Sequence, residues 1–331
     1  MSSLTDVAKR AHVSIATVSR VINNSDKVVP ETRALVQKAM DELGFRPNRV
    51  ARRLRQKGGK RHLLGLILPD IQNPFFAEVA RGVEDVAYAH QFAVMLCNSD
   101  EDPKKEAFYL NVMRDESVDG IILPPIAEHD AAVIKLAQSG MPIVSVDRSL
   151  STAMVDTVEV DNRQGAFEAV AHLIKLGHKR IGLIAGRPTV STGRDRRVGY
   201  EEALEANKIP LRAEYIRVGD NKQASGLALA TELLTLSPRP TALFVSNNLM
   251  AVGALEAIHR LKLKVPEEVA LIGFDDLPWA EALDPPLTVV RQPAYDVGRA
   301  AAEMLIKRLS DRTLPVAWLR LRPKLILRKS C

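Results

Sequence analysis

From residue 63 onward the apolar positions come in short unbroken runs, LLGLILP, FAVMLCN, VDGIILP and MPIVSVD, separated by amphipathic stretches with helices beginning near Pro74, Lys104 and Glu128. A run with no polar alternation buries both faces, as the strands of a parallel sheet covered by helices do. The pattern then repeats in HKRIGLIAG, EYIRVGD, TALFVSN and VALIGFDD, again with helices in the gaps. Two α/β lobes in series predict a clamshell that holds a ligand between the lobes, at the C-terminal ends of the strands. A further helix over 295–309 and the segment LRLRPKLILR read as the chain returning to the first lobe and finishing in the second.

Residues 4–54 have a different texture. Two short helical patterns are separated by His12-Val13, room only for a tight turn, and Ser14 stands where an N-cap would open the second helix. That is helix-turn-helix spacing. On the second helix Val18, Val21 and Ile22 recur at helical period and predict a buried face. Ile15, Ala16, Ser19, Arg20 and Asn23 are left near the other face. Pro30-Glu31 opens a third helix that Gly44 closes, with Ala34, Leu35, Ala39, Met40 and Leu43 expected to pack it against the first two. The stretch RPNRVARRLR that follows is too polar to join that core and too short for a stable isolated helix. Composition alone reads it as a solvated basic linker, and folding only on DNA is the other reading.

A three-helix head can bind protein as well as nucleic acid, and charge separates the two. Residues 1–61 hold 14 Lys/Arg against 5 Asp/Glu, net +9, whereas the whole chain carries +6, which leaves −3 for the rest. The basicity is concentrated in the head, as phosphate neutralisation requires. An exposed Arg20 suits the N7/O6 edge of guanine in a major groove, and Ile15 suits a thymine methyl.

At 331 residues and 46% hydrophobic the chain can bury a sizeable core in more than one domain. Two cysteines, Cys97 and Cys331, offer neither a disulfide framework nor a metal-ligand cluster, so no metal or cofactor is expected. No apolar run approaches the about 20 residues of a membrane helix, and MSSLTDVAKR lacks the apolar stretch of a signal peptide. A cytoplasmic protein with no membrane partner is expected.

Eight motifs, in order along the chain, carry a resemblance to a known family: TDVAKRAHVSIATVSRVIN, RPNRVARRL, NPFFAEVARGVE, GHKRIGLIAG, RDRRVGY, RPTALFVSNNLMAVGAL, VPEEVALIGFDD and DPPLTVVRQP. Over essentially its whole length the chain resembles the LacI/GalR family of bacterial transcription regulators. The fold class implied is an all-α helix-turn-helix head plus hinge helix, followed by a two-lobed, periplasmic-binding-protein-like α/β core with parallel sheets. The resemblance implies a head over 1–46, a hinge helix and linker over 47–61, and an effector-binding core over 62–331. Lobe 1 would span about 62–160 and 292–320, and lobe 2 about 161–291 and 321–331. It implies base reading by Ile15, Ala16 and Arg20, and phosphate contacts from Ser14, Thr17 and Asn23. Residues 48–55 match the family's hinge helix, with Ala51 and Leu54 in the minor groove and Leu54 as the wedge that kinks the duplex. Family members are two-fold dimers, so the partner is a pseudopalindromic double-stranded DNA operator.

The core also resembles ribose-type periplasmic sugar-binding proteins. Asn73, Phe75 and Phe76 match that group's NPFF loop, Asp147-Arg148 its Asp-Arg pair, Arg196 its next arginine, and Asn247, Asp275 and Gln292 its second-lobe amide, acid and crossing-strand glutamine. These types suit a sugar: carboxylates and amides pair with vicinal hydroxyls, guanidinium forks add charged donors, and rings cover a C–H face. Taken singly they have plainer uses: Phe75 or Phe76 as core, Asp275 as a turn cap, Arg148 as the partner of a neighbouring acid.

Two departures bear on the ligand. Asn221 stands where the ribose-binding pattern has an aromatic, so a stacking face is lost unless Trp279 supplies it, and Asn248 replaces the family's frequent Asp, which lowers the expected negative charge of the site. The expectation is a repressor whose operator affinity is modulated by a ribose-like monosaccharide or derivative, with a purine or nucleoside effector as the alternative. Purines need an aromatic sandwich, which Asn221 weakens. An enzyme is disfavoured by the absence of G-x-G-x-x-G after a strand, a P-loop, a G-x-S-x-G elbow or a Cys/His set. A transport-type binding protein is disfavoured by the basic head.

Overall fold

The computed structural model describes residues 3–22, 28–43, 62–152 and 154–331. They fall in two compact units, Met1–Arg61 and His62–Cys331.

In the first unit, α1 (Leu4–Arg10), α2 (Ile15–Ile22) and α3 (Pro30–Glu42) enclose a small core of Val7, Ala8, Ala11, Val18, Val21, Val36, Ala39 and Met40. Both early helices are capped by serine. Ser3 and Asp6 form a reciprocal capping box on α1, and the Thr17 N–H donates to Ser14 Oγ at 3.0 Å at the start of α2. The turn between them closes with His12 in the left-handed region (φ 54°) and the Val13 N–H bonded to the Ala8 carbonyl at 3.0 Å. On α3 the expectation needs correction. Ala34 and Leu35 are exposed, and Val36 is buried in their place. Val36, Ala39, Met40 and Leu43 follow the i, i+3, i+4, i+7 stripe that faces α1 and α2, and positions 34 and 35 fall on the far side of the helix.

The second unit contains two six-stranded sheets. The first has the order β11-β5-β4-β3-β1-β2, from β1 (Leu63–Leu68), β2 (Ala93–Asn98), β3 (Gly120–Leu123), β4 (Ile143–Val146), β5 (Asp156–Val160) and β11 (Trp318–Leu321), all parallel. The second has the order β12-β10-β9-β8-β6-β7, from β6 (Ile181–Ala185), β7 (Ile216–Val218), β8 (Ala242–Val245), β9 (Ala270–Phe274), β10 (Thr288–Arg291) and β12 (Lys324–Ile326), parallel except for antiparallel β12. The chain crosses between sheets near residues 161, 292 and 322. The apolar tail segment is thereby divided, with LRL in sheet 1 and KLI in sheet 2.

Helices cover both faces of each sheet. In lobe 1, α4 (Pro74–Ala89) and α11 (Ala294–Ser310) cover one face and α5 (Pro103–Asp115) and α6 (Ala131–Gln138) the other. In lobe 2 the pairs are α7 (Asn162–Lys175) with α8 (Ser191–Ala206), and α9 (Gln223–Leu234) with α10 (Asn248–Arg260). Helix α11 docks on α4 through glycines: a Cβ on Gly82 would lie 2.2 Å from the Tyr295 carbonyl oxygen, and one on Gly298 2.0 Å from that of Val79. This contact anchors the returning chain to lobe 1.

Strand β5 escapes a reading based on apolar runs because its sequence, DTVEV, carries two acids, yet every residue is buried. Arg308 forks onto Asp156, with one bond of 2.8 Å, and Arg320 reaches Glu159 at 2.6 Å, so both charges are paired. Among the described residues no helix is long and apolar enough to cross a membrane.

Candidate functional site

Two regions are candidates. In the head, α2 presents Ile15, Ala16 and Arg20 to solvent, with Ile15 49% exposed despite its apolar side chain, while Val18 and Val21 are buried. Ser14 is exposed and Thr17 half-buried, their hydroxyls 2.9 Å apart. Asn23, Ala51 and Leu54 lie outside the described residues.

In the core, all nine sequence-predicted residues, Asn73, Phe75, Phe76, Asp147, Arg148, Arg196, Asn247, Asp275 and Gln292, line one cavity between the lobes. Each comes from the C-terminal end of a strand, the turn that follows it, or the first turns of the next helix, because parallel strands in both sheets end at the same edge. The cavity is about 40 Å³, far below the about 300 Å³ or more of usual ligand pockets, so the lobes are drawn together.

In lobe 1, Asn73 caps α4 by accepting the Phe75 N–H at 3.0 Å, which brings Phe75 and Phe76 to the cavity wall in edge-to-face contact, centroids 5.0 Å apart. Both rings are 6% exposed, so each serves as core and wall at once. Arg148 is buried and forks onto Glu101 (2.6 and 3.0 Å), and its Nε lies 3.6 Å from Asp147. Glu101 was not foreseen from the sequence, since nothing in EDP marks it as the counter-ion of a residue 47 positions away. Burial alone would raise the Glu101 carboxyl, but the Arg148 fork outweighs it and holds it below its ordinary range.

In lobe 2, Arg196 donates to Asn162 Oδ1 (2.7 Å) and the Ser246 carbonyl (2.6 Å), lies 3.8 Å over the Phe274 ring, and is 3.6 Å from Asp275. Gln292 Nε2 donates to Asp275 Oδ1 at 2.5 Å. Asn247 caps α10 through the Met250 N–H (2.8 Å) and donates to the Asn221 carbonyl (3.1 Å). Burial pushes both aspartates up, Asp275 in direction and Asp147 to about 6.

Four buried polar atoms on this wall have no hydrogen-bond partner among the described residues: Asp147 Oδ1, Arg148 Nε, Ser246 Oγ and Gln292 Oε1. The four residues that carry these acceptors and donors line the same cavity. Such groups are rare in interiors because each costs about 1–3 kcal/mol.

The two departures come out differently. Asn221 lines the cavity in the left-handed region (φ 69°), and Trp279 does not line it, so Trp279 does not stand in for the missing ring. Asn248 does not line the cavity; it is buried behind it, and its amide donates across the cleft to Asn73, which does. Lobe contacts unforeseen from the sequence are Lys222 with Asp70 (2.5 Å), Arg194 with Glu128 (2.6 Å) and the Ser149 N–H with Ser191 Oγ (3.1 Å). Among the described residues no group of three or more His, Cys, Asp or Glu could hold a metal ion.

Residues 3–48 match the model of bacterial regulatory proteins of the lacI family, and residues 170–331 match that of the periplasmic binding protein-like domain. The chain is 38% identical to catabolite control protein A of Priestia megaterium, over 98% of each chain. The chain belongs to the lacI family. To the ribose operon repressor of Halalkalibacterium halodurans this lacI-family chain is 35% identical, over 100% of its own length and 97% of the relative's. The Lac repressor dimer bound to operator and an anti-inducer is similar in structure, with a TM-score of 0.87 at 28% identity and coverage of 99% and 98%. This lacI-family protein is a DNA-binding transcription regulator, not an enzyme.

Proposed function

We propose that this regulator is a cytoplasmic repressor that binds a pseudopalindromic operator as a homodimer and adjusts its operator affinity to a ribose-like monosaccharide or derivative held between the lobes. The observation that carries the effector reading is the set of unpartnered buried atoms, Asp147 Oδ1, Arg148 Nε, Ser246 Oγ and Gln292 Oε1, around one cavity that also has two phenylalanine rings on its wall. Vicinal hydroxyls both donate and accept, and so satisfy a mixed set of this kind, while a ring covers the C–H face. In this reading Asn73, Phe75, Phe76, Asp147, Arg148, Arg196, Asn247, Asp275 and Gln292 contact or frame the effector.

On the DNA side, Ile15, Ala16 and Arg20 read bases, with Ser14, Thr17 and Asn23 at phosphates. Exposure of both an isoleucine and an arginine on the second helix of the motif supports this assignment. The head spans 1–46, and 47–61 serve as hinge helix and linker, with Ala51 and Leu54 entering the minor groove. Lobe 1 then comprises about 62–160 and 292–320, and lobe 2 about 161–291 and 321–331. Effector binding favours closed lobes, and closure is coupled to operator affinity by linkage.

A thermal-shift screen of pentoses, hexoses and purine nucleosides against the full chain, followed by anisotropy titration on operator DNA, tests the reading. A stabilising pentose or hexose that also shifts operator affinity is expected, and the sign of that shift distinguishes inducer from corepressor. Stabilisation by nucleosides alone, or no change in operator affinity with any sugar that binds, overturns the sugar assignment.

A further inference from the structure

Asn248 is fully buried just behind the cavity, without lining it, and both ends of its amide are committed. Its Oδ1 accepts the Leu249 N–H at 2.8 Å, and its Nδ2 donates across the cleft to Asn73 Oδ1 at 2.9 Å. That same Asn73 oxygen accepts the Phe75 N–H and caps α4. One atom in lobe 1 therefore serves the helix that carries both wall phenylalanines and, at the same time, an amide from the first residue of α10 in lobe 2.

We propose that Asn248 is a positioning residue that registers lobe closure at the N-cap of α4, a role that rests on the reading of the cleft as a site that closes on an effector. An amide at 248 makes closure and capping compatible, because a donor meets an oxygen with two lone pairs. A carboxylate of the same shape makes them compete. It would face Asn73 Oδ1 as a second acceptor, and Asn73 could answer only by turning its NH₂ toward lobe 2, which withdraws the oxygen from the Phe75 N–H. Closing the lobes would then loosen the first turn of α4 instead of fixing it. Lys222 with Asp70 and Arg194 with Glu128 also span the cleft, but Lys222 and Arg194 are both more than a third exposed, whereas the Asn248 bond is dry and reaches the helix that forms the wall.

The test is hydrogen exchange of the first-turn amides of α4 in the full chain, without any sugar, for wild type, Asn248→Asp, Asn248→Ala and Asn73→Asp, at pH 5 and pH 8 after correction for intrinsic rates. In Asn248→Asp, protection of the Phe75 amide is expected to fall about 3- to 10-fold at pH 8 and to recover at pH 5, where the buried carboxyl takes up a proton and donates. Asn248→Ala loses protection equally at both pH values, and Asn73→Asp, which keeps an acceptor for both donors, retains it. Wild-type protection in Asn248→Ala, or identical losses in the Asp and Ala variants at both pH values, overturns the proposal. Should Asn248→Asp not fold, the contrast between Asn248→Ala and Asn73→Asp decides alone. No ligand takes part, so failure of every sugar to bind leaves this result standing, and a bound sugar does not rescue the proposal if exchange is unchanged.

Discussion

Asp147 and Asp275 occupy equivalent places in the two lobes. Each is the residue immediately after its strand, β4 or β9, each has left-handed backbone (φ 63° and 69°), and each donates its N–H to the neighbouring strand, Asp147 to the Val158 carbonyl at 2.9 Å and Asp275 to the Val290 carbonyl at 2.8 Å. Both carboxyls are buried on the same cavity, and the charge of Asp275 helps to raise Asp147 once burial has done most of it. They differ in their partners: Asp275 has Gln292 and Arg196, whereas Asp147 keeps one oxygen unpaired.

The first prediction follows from that unpaired oxygen. The folded pKa of about 6 lies above the 3.8 of an ordinary aspartate, so the folded state holds the proton more tightly. Its contribution to stability is complete below about 3.8 and is lost as pH rises through about 6. The ligand-free Asp147→Asn protein should therefore be more stable than wild type at pH 7–8, by about 1–3 kcal/mol, and similar to it near pH 4. Urea denaturation at the two pH values measures this, and a deficit for the variant at pH 8 contradicts it. The variant should also lose its response to any effector that needs the carboxylate.

Glu106, on α5, gives a second case away from the cleft. It is 2% exposed, burial and a hydrogen bond to Asp130 push it up to about 10, and its Oε2 has no partner among the described residues. Burial and the neighbouring Asp130 side chain, which caps α6, favour the neutral form of Glu106. Its stabilising contribution is full below about 4.5 and is lost as pH rises through about 10. Glu106→Gln keeps an NH donor without the proton uptake, so its melting temperature should exceed that of wild type at pH 8 and converge with it near pH 4.5. A variant that melts earlier at pH 8 rules this out.

Arg196 is bound more tightly into the fold than a pure ligand contact. Removing its side chain strands Asn162 and leaves the buried Asp275 without its guanidinium. Arg196→Ala is expected to lose effector response and about 2–4 kcal/mol of stability together. Unchanged unfolding of the core with effector response lost would show that the packing role has been overstated.

For the head, Arg20→Ala should weaken binding to the cognate operator by about 1–3 kcal/mol while leaving affinity for random DNA nearly unchanged. Anisotropy titrations on both duplexes at one salt concentration make the comparison. Equal losses on the two would reassign Arg20 to phosphate contact.

Periodicity and local signals were enough to place the helix-turn-helix, its Ser14 cap and eight of the strands, because each is written in residues close in sequence: a cap beside its helix, an unbroken apolar run. The nine effector-site residues were implied by the resemblance to ribose-type sugar-binding proteins, and all nine line the cavity. What depends on distant partners could be settled only by the fold. Strand β5 is buried because Arg308 and Arg320 arrive from the C-terminal segment to pair its acids. Arg148 meets Glu101 because β2 and β4 end at the same sheet edge, and Asn248 faces Asn73 because the lobes come together. The sequence by itself determined which side chains stand at the strand ends and how basic the head is. Only the tertiary structure decided which polar atoms find partners and which are left without one, since pairing depends on donors and acceptors brought together from positions up to 210 residues apart.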